Sequence, residues 1–168
     1  MRMRRARLTD APAIYALIAQ YAAEGLLLAR SEANIREHIA QFLVCISKRG
    51  VAGCVALESY GESLAEIRSL AVHPELRGNG LGGKLLQFAL AEARARYIAR
   101  VFAVTHAPDF FVRQGFTLSS RRALLEKIER DCNTCPKVRR CRLTAVVATL
   151  AAERDSFPIL QAVAGSPA

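Results

Sequence analysis

Ala65-Glu66-Ile67-Arg68-Ser69-Leu70-Ala71-Val72-His73-Pro74-Glu75-Leu76-Arg77-Gly78-Asn79-Gly80-Leu81-Gly82-Gly83-Lys84 is a β-rich run that ends in a loop dense with glycine. Residues 64–72 read as a strand. Behind the loop, Leu81, Leu85, Leu86, Ala89 and Leu90 recur at helical spacing, which predicts a helix over about residues 80–97. Strand, glycine loop and helix N-terminus together aim backbone N–H groups at one point, and the helix dipole adds positive potential there. Glycine lets a phosphate come close to the backbone without a Cβ in the way. The segment predicts an anion cradle; its plain alternative is a structural turn.

On the N-terminal side, residues 2–8 can form a strand. Thr9 or Asp10 then caps a helix with Pro12 in its first turn and Ile14, Leu17, Ile18 and Tyr21 on one side. Ser31 caps a second short helix carrying Ile35 and Ile39. Residues 42–47 and 51–60 read as a hairpin about Lys48-Arg49-Gly50, and Gly61-Glu62-Ser63 turns the chain into residues 64–72. On the C-terminal side come a strand over 101–105, a short helix over 109–114 ended by Gly115, and strands at 116–118 and 143–150. This order implies a mixed α/β sheet with helices on both faces.

The 168 residues are expected to form one domain, with a core over about 2–150 and a loosely held tail over 151–168. A composition 52% hydrophobic and 23% charged is that of a globular chain rather than a disordered one. No apolar run reaches the roughly 18 residues that span a bilayer, and no signal-peptide stretch follows the basic N-terminus. The expectation is a cytoplasmic protein with no membrane partner. The net charge of +9 invites an acidic partner. The arginines are scattered and no nucleic-acid motif or aromatic platform accompanies them, so a phosphate-bearing cofactor or an anionic substrate fits better than nucleic acid. Cys45 and Cys54 lie in apolar strands and read as core thiols. Cys132, Cys135 and Cys141 form C-x-x-C-P-x-x-x-x-C, but zinc wants four ligands and no second pair exists, so no metal site is expected.

The glycine loop fits three patterns. As G-x-G-x-x-G it lacks an obvious acidic ribose ligand on the next strand. As G-x-x-x-x-G-K-[ST] it has Leu85 where a hydroxyl should hold magnesium. As R/Q-x-x-G-x-G/A it is met by Arg77, Gly80 and Gly82. With Leu70-Ala71-Val72-His73-Pro74 ahead of it, and Phe110-Phe111-Val112-Arg113-Gln114-Gly115-Phe116 downstream, the chain resembles the GNAT superfamily of N-acetyltransferases over roughly residues 2–150.

That resemblance implies a mostly antiparallel central sheet whose fourth strand carries a bulge and splays from the fifth. It implies acetyl-coenzyme A as cosubstrate, with the pyrophosphate on Arg77, Gly78, Asn79, Gly80, Leu81, Gly82 and Gly83. Leu70, Ala71 and Val72 would line the pantetheine arm, an N–H aimed at the thioester oxygen would stabilise developing charge, and Phe111 would contact the cofactor. Glu66 matches the family's glutamate base. Arg68, two residues on, shares its strand face; an exposed strand carboxylate paired with Arg68 is the plain alternative. Many members have a tyrosine in the late helix as acid. Phe110 and Phe111 stand there instead, which leaves Thr105, His106, a water or no acid.

The run Ala65-Glu66-Ile67-Arg68-Ser69-Leu70-Ala71-Val72, and the segment from Leu124 to Cys141, further resemble short amino-acid N-acetyltransferases of the N-acetylglutamate synthase kind. This implies glutamate as acceptor, with Arg68 first and Lys127 second as carboxylate ligands, and Lys137 or Arg140 behind them. The N-terminal amino-acid-kinase domain of longer enzymes is expected to be absent. Polyamines, aminoglycosides, peptides and protein N-termini stay open as other acceptors, as does a non-catalytic acyl-coenzyme A sensor. A homodimer is left open.

Overall fold

The computed structural model describes residues 1–135 and 141–150. Seven strands form one sheet in the order β1-β2-β3-β4-β5-β7-β6. They are β1 (Arg2–Arg5), β2 (Phe42–Ser47), β3 (Gly50–Ser59), β4 (Leu64–Val72), β5 (Arg100–Thr105), β6 (Thr117–Ser119) and β7 (Thr144–Thr149). All neighbours pair antiparallel except β4 and β5. The mixed α/β sheet expected from the element order is present, and the strand over residues 64–72 has the expected bounds.

Helices cover both faces. On one, α3 (Leu81–Ala95) lays Leu81, Leu85, Leu86, Ala89 and Leu90 on Val55, Ile67, Val101 and Val146. The short α4 (Pro108–Val112) adds Phe111 to that core. On the other face, α1 (Ala11–Ala23) and α2 (Glu32–Glu37) cover Phe42, Val44, Cys54 and Ala56 with Ile14, Leu17, Ile18 and Ile35. Ser31 caps α2 as expected, its hydroxyl accepting the Asn34 N–H at 3.1 Å. Further along this second face lies a smaller cluster of Tyr60, Leu64, Phe102, Leu124 and Ala145.

Two irregularities in β4 position the site. Between the pairs Ala56–Arg68 and Cys54–Ala71, β3 advances two residues and β4 three, so β4 holds one extra residue. Ser69, at φ +50°, takes it. In addition, β4 and β5 pair only through Leu64–Arg100, Ala65–Val101 and Glu66–Phe102, although β4 runs on to Val72 and β5 to Thr105. Beyond Glu66 the two strands part, and the rim of the gap is the glycine loop. The expected tail, Lys137 and Arg140 lie outside the described residues.

Candidate active site

From β4 the chain passes a 3₁₀ turn (Pro74–Leu76) into the loop. Gly78 (φ +78°) and Gly80 (φ +74°) are left-handed, and no atom lies within 4 Å of where a Cβ at either would stand. The space beside these two residues is therefore open. Lys84 N–H bonds Gly80 O at 3.1 Å as the first closed turn of α3, so the N–H groups of residues 81–83 have no acceptor within the helix. Together with the left-handed backbone before them they form an arrangement suited to a pyrophosphate. The Arg77 N–H bonds Pro74 O at 3.2 Å, and the Arg77 side chain turns back onto Tyr21 of α1 at 2.7 Å. Phe111 lies 5% exposed in the core, edge-on to Phe110 and Phe116, and it is Phe110 whose ring meets Gly82. Thr105 Oγ accepts the Ala107 N–H at 3.0 Å, and His106 is exposed.

At the closed end of the gap, on the α1–α2 face, Glu66 and Arg68 point the same way, as their spacing predicts. Glu66 is 3% exposed, which removes the reading of a surface carboxylate. Its Oε2 lies 2.8 Å from Lys127 Nζ, 2.8 Å from the Tyr60 hydroxyl and 3.7 Å from Arg68 Nε. Lys127, 8% exposed, also bonds Asp131 Oδ2 at 2.7 Å. Arg68 bonds Glu58 at 2.7 Å and lies 3.6 Å from Asp131; Arg130 reaches both Glu58 and Asp131 and stacks 3.7 Å over the Tyr60 ring. The Tyr60 hydroxyl sits 2.8 Å from Glu66 and 2.5 Å from Asp131, and its one proton serves one of them at a time.

The segment supplying these groups begins at Leu124, buried against Phe102 and Leu64. A single turn, α5 (Leu125–Lys127), widens into a π turn (Ile128–Cys132). This puts Lys127 and Asp131 on one side, four residues apart, and swings Arg130 toward Glu58. Sequence reasoning placed Lys127 at the substrate; here its ammonium is already taken by two carboxylates.

Three carboxylates (Glu58, Glu66, Asp131) thus meet three cations (Arg68, Lys127, Arg130) in ion pairs. A fourth cation, Arg30, was not anticipated. Its Nε bonds Asn34 at 2.9 Å and its guanidinium rides 5.2 Å over Phe42, but Nη1 is buried with no hydrogen-bond partner among the described residues. Burial, and then the charge of Arg68, push its pKa below the ordinary guanidinium value. Phe42, Ala56 and Arg68 are opposite one another across β2, β3 and β4. Arg30 and Arg68 therefore flank the small Ala56. One signal was available: a cation directly ahead of the α2 cap opposes the helix dipole and asks for a reason.

Burial alone would raise the Asp131 carboxyl. Hydrogen bonds from Lys127 and Tyr60, with the charges of Lys127 and Arg68, outweigh it and bring the pKa to about 2 from 3.8. A carboxylate depressed in the folded state adds stability above its ordinary pKa and loses it as pH falls through the folded one. Asp131→Asn should therefore be less stable than the native chain near neutral pH, with the gap narrowing from about pH 4 to about pH 2. Urea denaturation of both proteins across this range is the check, and a constant gap contradicts the pairing. Among the described residues no group of three His, Cys, Asp or Glu side chains is placed to hold a metal ion, and no helix is long and apolar enough to cross a membrane.

Comparison with known proteins agrees with this geometry. A sequence model for the acetyltransferase (GNAT) domain matches residues 38–118. An uncharacterized N-acetyltransferase of Chlorobaculum tepidum is 43% identical over 148 residues, 88% of this chain and 96% of that one. An amino-acid acetyltransferase of Mycobacterium tuberculosis is 37% identical over 118 residues, 68% of this chain and 67% of that one. The structure of N-acetylglutamate synthase from Neisseria gonorrhoeae, complexed with coenzyme A and N-acetyl-glutamate, superposes with a TM-score of 0.82 at 30% identity. It covers 89% of this chain, which spans about a third (35%) of that one. With the splayed β4 and β5 and the glycine loop between them, these likenesses establish that the chain belongs to the GNAT family of acetyltransferases, enzymes whose acetyl donor is acetyl-coenzyme A.

Proposed function

We propose that this enzyme acetylates the α-amine of an acidic amino acid, with glutamate the leading acceptor. The observation that carries the reading is the surplus cation. Three carboxylates neutralise three cations, and Arg30, across Ala56 from Arg68, has no carboxylate partner among the described residues. Glutamate brings two carboxylates and one ammonium, a net charge of −1 that matches this surplus. A polyamine would add cations to a site already in excess of them.

In this reading residues 78–83 cradle the pyrophosphate, while Leu70, Ala71 and Val72 line the arm in the gap between β4 and β5. Bound acetyl-coenzyme A supplies the acetyl thioester there. Arg30 and Arg68 hold a substrate carboxylate, and the fork geometry of guanidinium suits it. Glu66 takes the proton that the ammonium must lose before it can attack. Lys127 and Tyr60 converge on Oε2 and fix the carboxylate's orientation; among the described residues no hydrogen bond reaches Oε1, which is left for the amine or a relaying water. Lys127 acts on Glu66 and Asp131 rather than on substrate.

Glu66→Gln keeps the shape and removes the proton acceptor. It should lower kcat by about 10²- to 10⁴-fold and flatten the acidic limb of the pH–rate profile. The exchange also deprives Lys127 of a charge partner, so the rate is read on folded protein with native coenzyme A affinity. A near-native rate with the same limb would pass the role to another group.

Discrimination by charge supplies the second test. A site built for two carboxylates leaves a cation unsatisfied when a neutral side chain enters. Glutamate should exceed glutamine by about tenfold or more in kcat/KM, and Arg30→Gln or Arg68→Ala should remove much of the gap. Equal rates with glutamine, leucine or a polyamine would end the glutamate assignment and leave the acetyltransferase in place.

A further inference from the structure

Tyr21 of α1 takes no part in the chemistry above, yet it touches three elements that the site requires. Its hydroxyl donates to the carbonyl of Val72, the last residue of β4. The N–H of that same peptide, on His73, donates to Ala52 O of β3 at 2.8 Å. A planar trans peptide points its N–H and C=O in opposite directions, so the Val72 carbonyl faces away from β3, and both ends of this unit are held. Arg77 Nε donates to the Tyr21 oxygen at 2.7 Å, the guanidinium stacks 4.3 Å over the ring, and Glu24 lies 3.8 Å from Arg77 Nη2. The Tyr21 carbonyl accepts N–H groups from Leu26 at 3.0 Å and Leu27 at 3.4 Å, closing α1 and starting the connection that leads to Arg30.

We propose that Tyr21 is a positioning residue: with Arg77 it clasps the exit of β4, sets the shape of the 78–83 loop and ties that loop to the segment carrying Arg30. Arg77 then acts through Tyr21, as a brace for the loop rather than as a ligand of the phosphates. A donating guanidinium polarises the tyrosine O–H and strengthens its bond to the Val72 carbonyl. The two bonds are in series, so losing either releases the same hinge. The inference rests on the assignment of residues 78–83 as the pyrophosphate cradle.

The test uses the full chain and two readouts. In the protein without coenzyme A, Tyr21→Phe, which keeps the ring and removes the hydroxyl, should speed hydrogen exchange at the amides of residues 78–83. Calorimetric titration with coenzyme A should show affinity weakened about three- to tenfold, the scale of one or two hydrogen bonds. The KM for acetyl-coenzyme A should rise with it while kcat changes much less. Arg77→Gln should give the same loss, and the double variant should add nothing further, as for two groups in one chain of contacts. Native exchange in the loop of Tyr21→Phe would overturn the clasp. Losses that add in full in the double variant would also overturn it, since Arg77 would then meet the phosphates independently. Faster loop exchange with unchanged coenzyme A affinity would overturn the cradle, and the positioning role with it.

Discussion

The parallel pairing of β4 with β5 stops after three residue pairs, and the rest of the site depends on that stop. A parallel pair that continued to Val72 would use the backbone groups of residues 67–72 on strand hydrogen bonds. The extra residue at Ser69 lets β4 stay on β3 while it turns from β5. The gap that opens runs from the glycine loop at its rim to Glu66, which stands on the last paired rung opposite Phe102. A long thin acyl carrier fits such a slot, and Glu66, the proposed proton acceptor, sits at its closed end.

A second constraint comes from charge. Between the apolar clusters around Ile14 and around Phe102, one face of the sheet carries Glu58, Tyr60, Glu66 and Arg68. Glu66 and Lys127 are buried, and breaking a buried ion pair costs about 3–5 kcal/mol. Lys127, Asp131 and Arg130, all from one irregular segment, complete the pairing. The Glu66 carboxylate is therefore held by a piece of chain about sixty residues away, and among the described residues Arg30 adds a buried guanidinium nitrogen with no partner.

The helices were legible from periodicity and the strands from β-rich runs bounded by turns: β4 and the buried stripe of α3 fell where these signals put them. Cys45 and Cys54 are core thiols as their apolar surroundings suggest, the latter pushed to about 12 by burial. The glycine loop was legible because left-handed backbone favours one residue type. Ser69 was not, since a serine gives no sign that it will adopt a positive φ. The π turn after Leu124 was missed because its register is set by Lys127, Asp131 and Arg130 meeting Glu66 and Glu58, contacts that no local window contains. A motif does not say where its side chains go: packing turns that of Arg77 to Tyr21 and that of Phe111 into the core.

The proposed cofactor and acceptor regions are separate on one strand, and amide chemical shifts from a ¹⁵N-labelled sample report both at once. Titration with coenzyme A should move Leu70, Val72 and the amides of residues 78–83, leaving β1 and β6 still. Glutamate added afterwards should move Glu58, Tyr60, Arg68 and the residues around Arg30. Coenzyme A that shifts the outer strands while leaving the loop and residues 70–72 untouched would contradict the placement of the acetyl donor between β4 and β5.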